Sequence, residues 1–160
     1  MILRNRTIEM KWAFFFIIMM LLWMVMERIV GLHGEHIELH AIYTNFILIP
    51  AILIYYFALK DKRENFYKGS MSYAQGLFSG LVITGIVTLI TPALQFVTTI
   101  FISPNFFKNM TTYVVEQELM TEAKAAEYFN LKNYVIQATL GAPIMGIIIS
   151  LIVAAFTKKD

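Results

Sequence analysis

The sequence predicts an all-α integral membrane protein. Four transmembrane helices cross the bilayer, the N- and C-termini are cytoplasmic, and a helical hairpin lies outside between helices 3 and 4. Three observations carry this reading. Charged residues make up 15% of the 160-residue chain and hydrophobic residues 58%, where a soluble domain carries about 25% charged residues. Four apolar runs approach or exceed the ~20 residues a helix needs to cross a bilayer. The basic residues lie unevenly on the two sides those runs define. The mean hydropathy is +0.64.

The first run spans residues 12–32. WAFFFIIMMLLWMVM is free of charge, and Glu27 and Arg28 follow near its far end, where long side chains can snorkel. Arg4, Arg6 and Lys11 precede it, as they would a signal peptide. The run ends in bulky MVMERIV without a small-residue cleavage pattern, so an uncleaved first span is expected. The second run, residues 41–59, is AIYTNFILIPAILIYYFAL. Pro50 predicts a kink in mid-span, and KDKREN predicts a sharp end. The third, residues 71–102, exceeds one straight crossing, which implies an extension beyond the bilayer or a bend at Pro92. The fourth, residues 134–156, contains Gly141, Ala142 and Pro143.

Of the 13 basic residues, nine fall on one side: Arg4, Arg6, Lys11, Lys60, Lys62, Arg63, Lys68, Lys158 and Lys159. Arg28, Lys108, Lys124 and Lys132 fall on the other. The excess marks the cytoplasmic side, with both termini and residues 60–68. Tyr43 and Tyr134 then mark the outer interface, and Trp12, Tyr55, Tyr56 and Tyr73 the inner one. The outer segment, residues 103–133, reads as a helical hairpin. Ser103 and Pro104 form a helix start, Thr121 caps a second short helix, and Phe106, Phe107, Met110, Tyr113 and Val114 recur at helical spacing. Glu116, Glu118, Glu122 and Glu127 read as a solvated face, or more sharply as a cation-attracting rim.

Apolar side chains gain little by leaving lipid for one another, so close packing of small residues must hold the bundle. Ser72, Gly76, Gly80 and Thr84 recur every fourth residue in the third span, as do Ala142, Gly146, Ser150 and Ala154 in the fourth. These stripes predict a tight contact between the two spans. Thr84, Thr88, Thr91 and Gln95 continue one helical face, with Asn45 and Gln137 at similar depth. The plain reading is hydrogen bonding between helices; the sharper one is a polar cavity open to the outside.

All three histidines fall in GLHGEHIELH, residues 31–40. On a continuous helix His33, His36 and His40 would lie within about 60° of one another, a candidate metal-ligand face. Gly31 and Gly34 interrupt it, which predicts that His33 leaves the helix. His36 and His40 remain as an i, i+4 pair able to chelate zinc or copper given a third ligand from His33, Glu27 or the hairpin. Interfacial polar residues and a pH-sensitive contact are the competing readings. The chain has no cysteine, so thiolate sites and disulfides are excluded. Phosphate-binding glycine loops, HExxH, GxSxG and paired intramembrane aspartates are absent, and no enzyme or cofactor is expected.

The stretches WMVMERIVGLHGEHIELHAIYTNF, IPAILIYYFALKDKRENFYKG, ISPNFF, MTEAKAAEYFNLKNY and IISLIVAAFTKK resemble a bacterial membrane family, the domain of unknown function number 4199, over about residues 11–159. The resemblance implies a small four-span protein of the inner membrane of Gram-negative bacteria and transfers no activity to any residue. The leading expectation is one membrane domain, residues 1–160, in an assembly or accessory role. It would act through helix–helix and hairpin contacts, with the lipid bilayer and a second copy or another membrane protein as partners, and no nucleic acid. The alternative is a small-solute or metal-ion carrier using the span-3 stripe and the His36/His40 pair.

Overall fold

A computed structural model describes residues 6–159. Among them four helices are long and apolar enough to cross a membrane: Thr7–Ile29, Ile37–Asn65, Tyr73–Ile102 and Leu131–Thr157. The first is α1. The second is composite, with a 3-10 turn Ile37–Leu39, α2 His40–Tyr43, a 3-10 turn Thr44–Ile47 and α3 Leu48–Asn65. The third is α4 Tyr73–Val97, closing in a π-helical turn Thr98–Ile102. The fourth, α7, spans Leu131–Thr157. Between the last two lie α5 Phe106–Glu116 and α6 Glu122–Tyr128.

Local chemistry sets the boundaries. At the end of α1, Gly31 takes φ +85°, a conformation that only glycine adopts cheaply. The Gly31 and Leu32 amides donate to the Arg28 and Glu27 carbonyls at 3.1 and 2.9 Å, which closes the helix in a Schellman motif. Ser72 caps α4 in a reciprocal box with Gln75. Asn130 caps α7, its side chain accepting from the Asn133 amide at 3.0 Å.

Several expectations need correction. Pro50 falls in the first turn of α3, where a missing N–H costs little. The irregularity appears just before it, as the 3-10 turn Thr44–Ile47. The second span does not end at residue 59: KDKREN continues as helix to Asn65. Its charges are held by the bundle, because Trp12 Nε1 donates to Asp61 at 2.6 Å, Lys11 pairs with Asp61, and Lys62 is buried against Glu9. Helix α4 passes through Pro92 and α7 through Pro143 without interruption. Helix α5 starts at Phe106, with Asn105 rather than Ser103 at its cap position, and the Ser103 hydroxyl faces His33. Tyr55 is buried instead of interfacial and shares a 2.9 Å hydrogen bond with Thr84.

The α4–α7 pair makes the most extensive helix contact, with α1 and α3 flanking it. Gly80 faces Ser150, and a Cβ there would stand 2.6 Å from its Oγ. Gly146 faces Thr84, and a Cβ there would stand 2.6 Å from its Oγ1. Gly76 faces Ala154, and Ala142 is half-buried further along. Small residues thus let the two backbones approach. The central core joins Ala13, Ala51, Tyr55, Leu59, Ile83, Val87, Ile149 and Val153. Outward faces carry exposed Phe14, Leu22, Leu89 and Phe156, an apolar exterior suited to lipid. A second cluster, Ile37, Phe106, Met110, Val114 and Ala125, fastens α5 and α6 to the start of the second span.

Candidate functional site

Two buried polar clusters occupy opposite ends of the bundle. At the end holding Arg6, Glu9 is 1% exposed and accepts from Arg6 Nη1 at 3.1 Å, Lys62 Nζ at 3.0 Å and Ser79 Oγ at 3.1 Å. The Lys62 ammonium also stands 3.7 Å from the centroid of the Phe66 ring. Every polar group in this network is satisfied within the protein, so its plain role is structural.

The other end differs. Glu27, expected to snorkel, is 0% exposed. Trp23 Nε1 donates to its Oε1 at 2.7 Å, and its Oε2 stands 3.2 Å from His33 Nε2. His33 leaves the helix, as the glycines predict, and is one of the candidate third ligands; it is 7% exposed, and its Nδ1 lies 2.5 Å from Ser103 Oγ. The Schellman turn explains the return of the chain. It reverses direction at Gly31, and the His36 amide bonds back to the Gly31 carbonyl at 2.9 Å, so His33 folds over the end of α1 beside Glu27. His40 joins from α2, its ring centroid 5.4 Å from that of His33. Its buried Nδ1 has no hydrogen-bond partner among the described residues. One nitrogen from each ring and a carboxylate oxygen of Glu27 all lie within 4.8 Å of one another.

His36 is absent from this group. It is exposed, with Nδ1 4.0 Å from the Glu38 carboxylate. The pairing expected from the sequence, His36 with His40, is therefore replaced by His33 with His40. A 3-10 turn separates residues 36 and 40, and its tighter winding removes the shared α-helical face. Glu27 and His33, both candidate third ligands by sequence, join His40 in place of His36; the cue lay in Gly31, a helix stop that sends residue 33 back toward residue 27.

Phe106 of α5 packs against both rings, at 5.1 Å from His33 and 5.0 Å from His40. Asn109 Nδ2 donates to the His33 carbonyl at 2.8 Å. His33 borders two cavities, one of about 300 Å³ with Arg28, Ser103 and Asn109, and one of about 160 Å³ with His40, Gln95 and Tyr134. The polar stripe of the third span is divided. Thr84 and Thr91 return their hydroxyls to the Gly80 and Val87 carbonyls and line a separate apolar cavity of about 250 Å³. The buried Thr88 hydroxyl has no partner among the described residues, and Gln95 alone reaches the histidine end. Asn45 folds onto the Ala41 carbonyl at 2.7 Å, and Gln137 accepts from Tyr128 at 3.3 Å. Glu116, Glu118, Glu122 and Glu127 are all exposed.

The fold and this site define a class: a helical bundle of multi-pass membrane type, with a buried carboxylate–imidazole cluster closed over by a short helix. The family model described as "Protein of unknown function (DUF4199)" matches residues 11–159. The chain belongs to that family, as its resemblance implied. Searches of curated proteins and of solved structures returned no match.

Proposed function

We propose that this chain is a non-enzymatic accessory protein of the bacterial inner membrane whose working element is a divalent transition-metal site formed by Glu27, His33 and His40. The convergence of the three donors within 4.8 Å in a buried setting carries this reading. Two imidazoles and a carboxylate, with no cysteine in the chain, suit a borderline cation such as zinc, cobalt, nickel or copper. Magnesium and calcium prefer all-oxygen shells. Three protein donors leave one tetrahedral position for water or for a donor from a partner.

The excess of basic residues around Arg6, Lys11, Lys62 and Arg63 supports a cytoplasmic position for that end, with the cation site and the α5–α6 hairpin on the outer side in this reading. Binding is favoured over carriage because the span-3 stripe is split between two cavities, and Thr84 is packed against Gly146.

Titrating zinc into the full chain in lipid nanodiscs tests the reading. One ion per chain is expected. Structural zinc sites yield roughly 12 kcal/mol over four ligands, about 3 kcal/mol for each, so Glu27→Gln, His33→Ala and His40→Ala should each weaken binding about 100-fold. His36→Ala should bind as the unmodified chain does. Unchanged affinity in the first three variants would remove the proposal.

A further inference from the structure

We infer that Ser103 is a positioning residue of the cation site, and that cation binding is thereby coupled to docking of the outer hairpin. This rests on the cation reading above and goes beyond it, because it assigns the hairpin a part in the site.

The argument starts from the two nitrogens of His33. Nε2 faces the Glu27 carboxylate at 3.2 Å and Nδ1 faces Ser103 Oγ at 2.5 Å. Without a cation, the Nε2 position next to a carboxylate oxygen favours a hydrogen on Nε2, donated to Glu27. Nδ1 then accepts the Ser103 hydroxyl. A cation needs the Nε2 lone pair. His33 stays neutral only if Nε2 gives up its hydrogen and Nδ1 gains one, so that Nδ1–H now donates to Ser103 Oγ. A hydroxyl serves both arrangements because it donates or accepts by rotation. Metal-bound imidazoles commonly donate their other N–H to such an outer partner, which fixes tautomer and ring orientation. Ser103 is 5% exposed, so its hydroxyl is held beside the ring as a fixed partner. Trp23 plays the corresponding part for Glu27, occupying Oε1 and leaving Oε2 toward His33.

Ser103 stands three residues ahead of Phe106, the first residue of α5. The same helix supplies Phe106 against both rings and Asn109 to the His33 carbonyl. The elements that orient the ligands are therefore the elements that dock the hairpin. By linkage, whatever factor docking adds to cation affinity, the cation adds to docking.

The test measures zinc affinity and amide hydrogen exchange of residues 106–116 on the same nanodisc samples of the full chain. Ser103→Ala should weaken zinc binding about 10- to 100-fold, and Ser103→Thr, which keeps the hydroxyl, should restore most of it. Zinc should slow exchange across α5 in the unmodified chain and do so far less in Ser103→Ala. The unmodified chain alone tests coupling even if the alanine variant folds poorly. Zinc binding that leaves α5 exchange unchanged, or equal zinc affinity in Ser103→Ala, overturns this inference while the cation site stands. Absence of zinc binding by the unmodified chain overturns the cation reading and this inference with it.

Discussion

Replacing Lys62 with methionine should destabilise the bundle by about 3 kcal/mol, the lower end of the cost of leaving a buried charge without its partner. Lys62 and Glu9 are each 1% exposed and lie 3.0 Å apart. Methionine fills much of the same volume, so the loss isolates charge from packing. Glu9 would keep Arg6 and Ser79 as donors, which is why the lower end applies. Glu9→Gln should also cost stability, because a neutral amide no longer balances the ammonium charge 3.0 Å away. Removing both charges in Glu9→Leu/Lys62→Met should recover a large part of the loss, because a well-packed apolar pair escapes the desolvation that an ion pair suffers. Unfolding of Lys62→Met, Glu9→Leu and the double variant in mixed micelles, analysed as a double-mutant cycle, gives the coupling directly. A Lys62→Met variant within about 0.5 kcal/mol of the unmodified chain, the range of an ordinary surface substitution, would contradict this account.

The second large effect is expected at the α4–α7 contact. Gly80→Ala and Gly146→Ala each add a single methyl group. At Gly80 it would lie 2.6 Å from Ser150 Oγ and 3.4 Å from the Ser150 Cα, and at Gly146 2.6 Å from Thr84 Oγ1. The first clash includes Ser150 Cβ at 2.8 Å, an atom that moves only with its backbone, and Thr84 is pinned by hydrogen bonds to Tyr55 and the Gly80 carbonyl. The helices must therefore separate, at a cost of about 2–3 kcal/mol for overpacking. Gly85→Ala and Gly141→Ala sit in the same two helices with nothing within 4 Å of the new Cβ. These should be neutral, or stabilising by up to about 1 kcal/mol through helix propensity. The same unfolding assay separates the pairs, and equal behaviour of all four glycines would refute the close approach.

The spans were legible because crossing length and apolarity act over ~20 residues and outweigh local detail. The small-residue stripes were legible for a related reason: a repeat of four keeps one face, and only small side chains admit a backbone there. Charged residues were harder to place. Glu27 and Lys62 each sit near the end of an apolar run, where snorkelling is the default expectation for a long side chain. A specific partner from another helix overrides it: Lys62 finds Glu9, 53 residues earlier in the chain, and Glu27 finds His33 through a turn. The histidines show the limit most clearly. Counting 100° per residue through residues 31–40 assumes a helix that the chain does not form. Gly31 closes α1, a 3-10 turn opens the second span, and the two rings that meet are His33 and His40. Ser103 is an ordinary helix cap by sequence, and only the docked position of α5 turns its hydroxyl to His33.

Zinc-edge X-ray absorption on the loaded full chain in nanodiscs tests the central claim most directly. The account predicts a first shell of nitrogen and oxygen with outer scattering from two imidazoles, unchanged in His36→Ala and reduced to one imidazole in His33→Ala. An imidazole count that falls in His36→Ala and holds in His33→Ala, or a shell of oxygen alone, would contradict it.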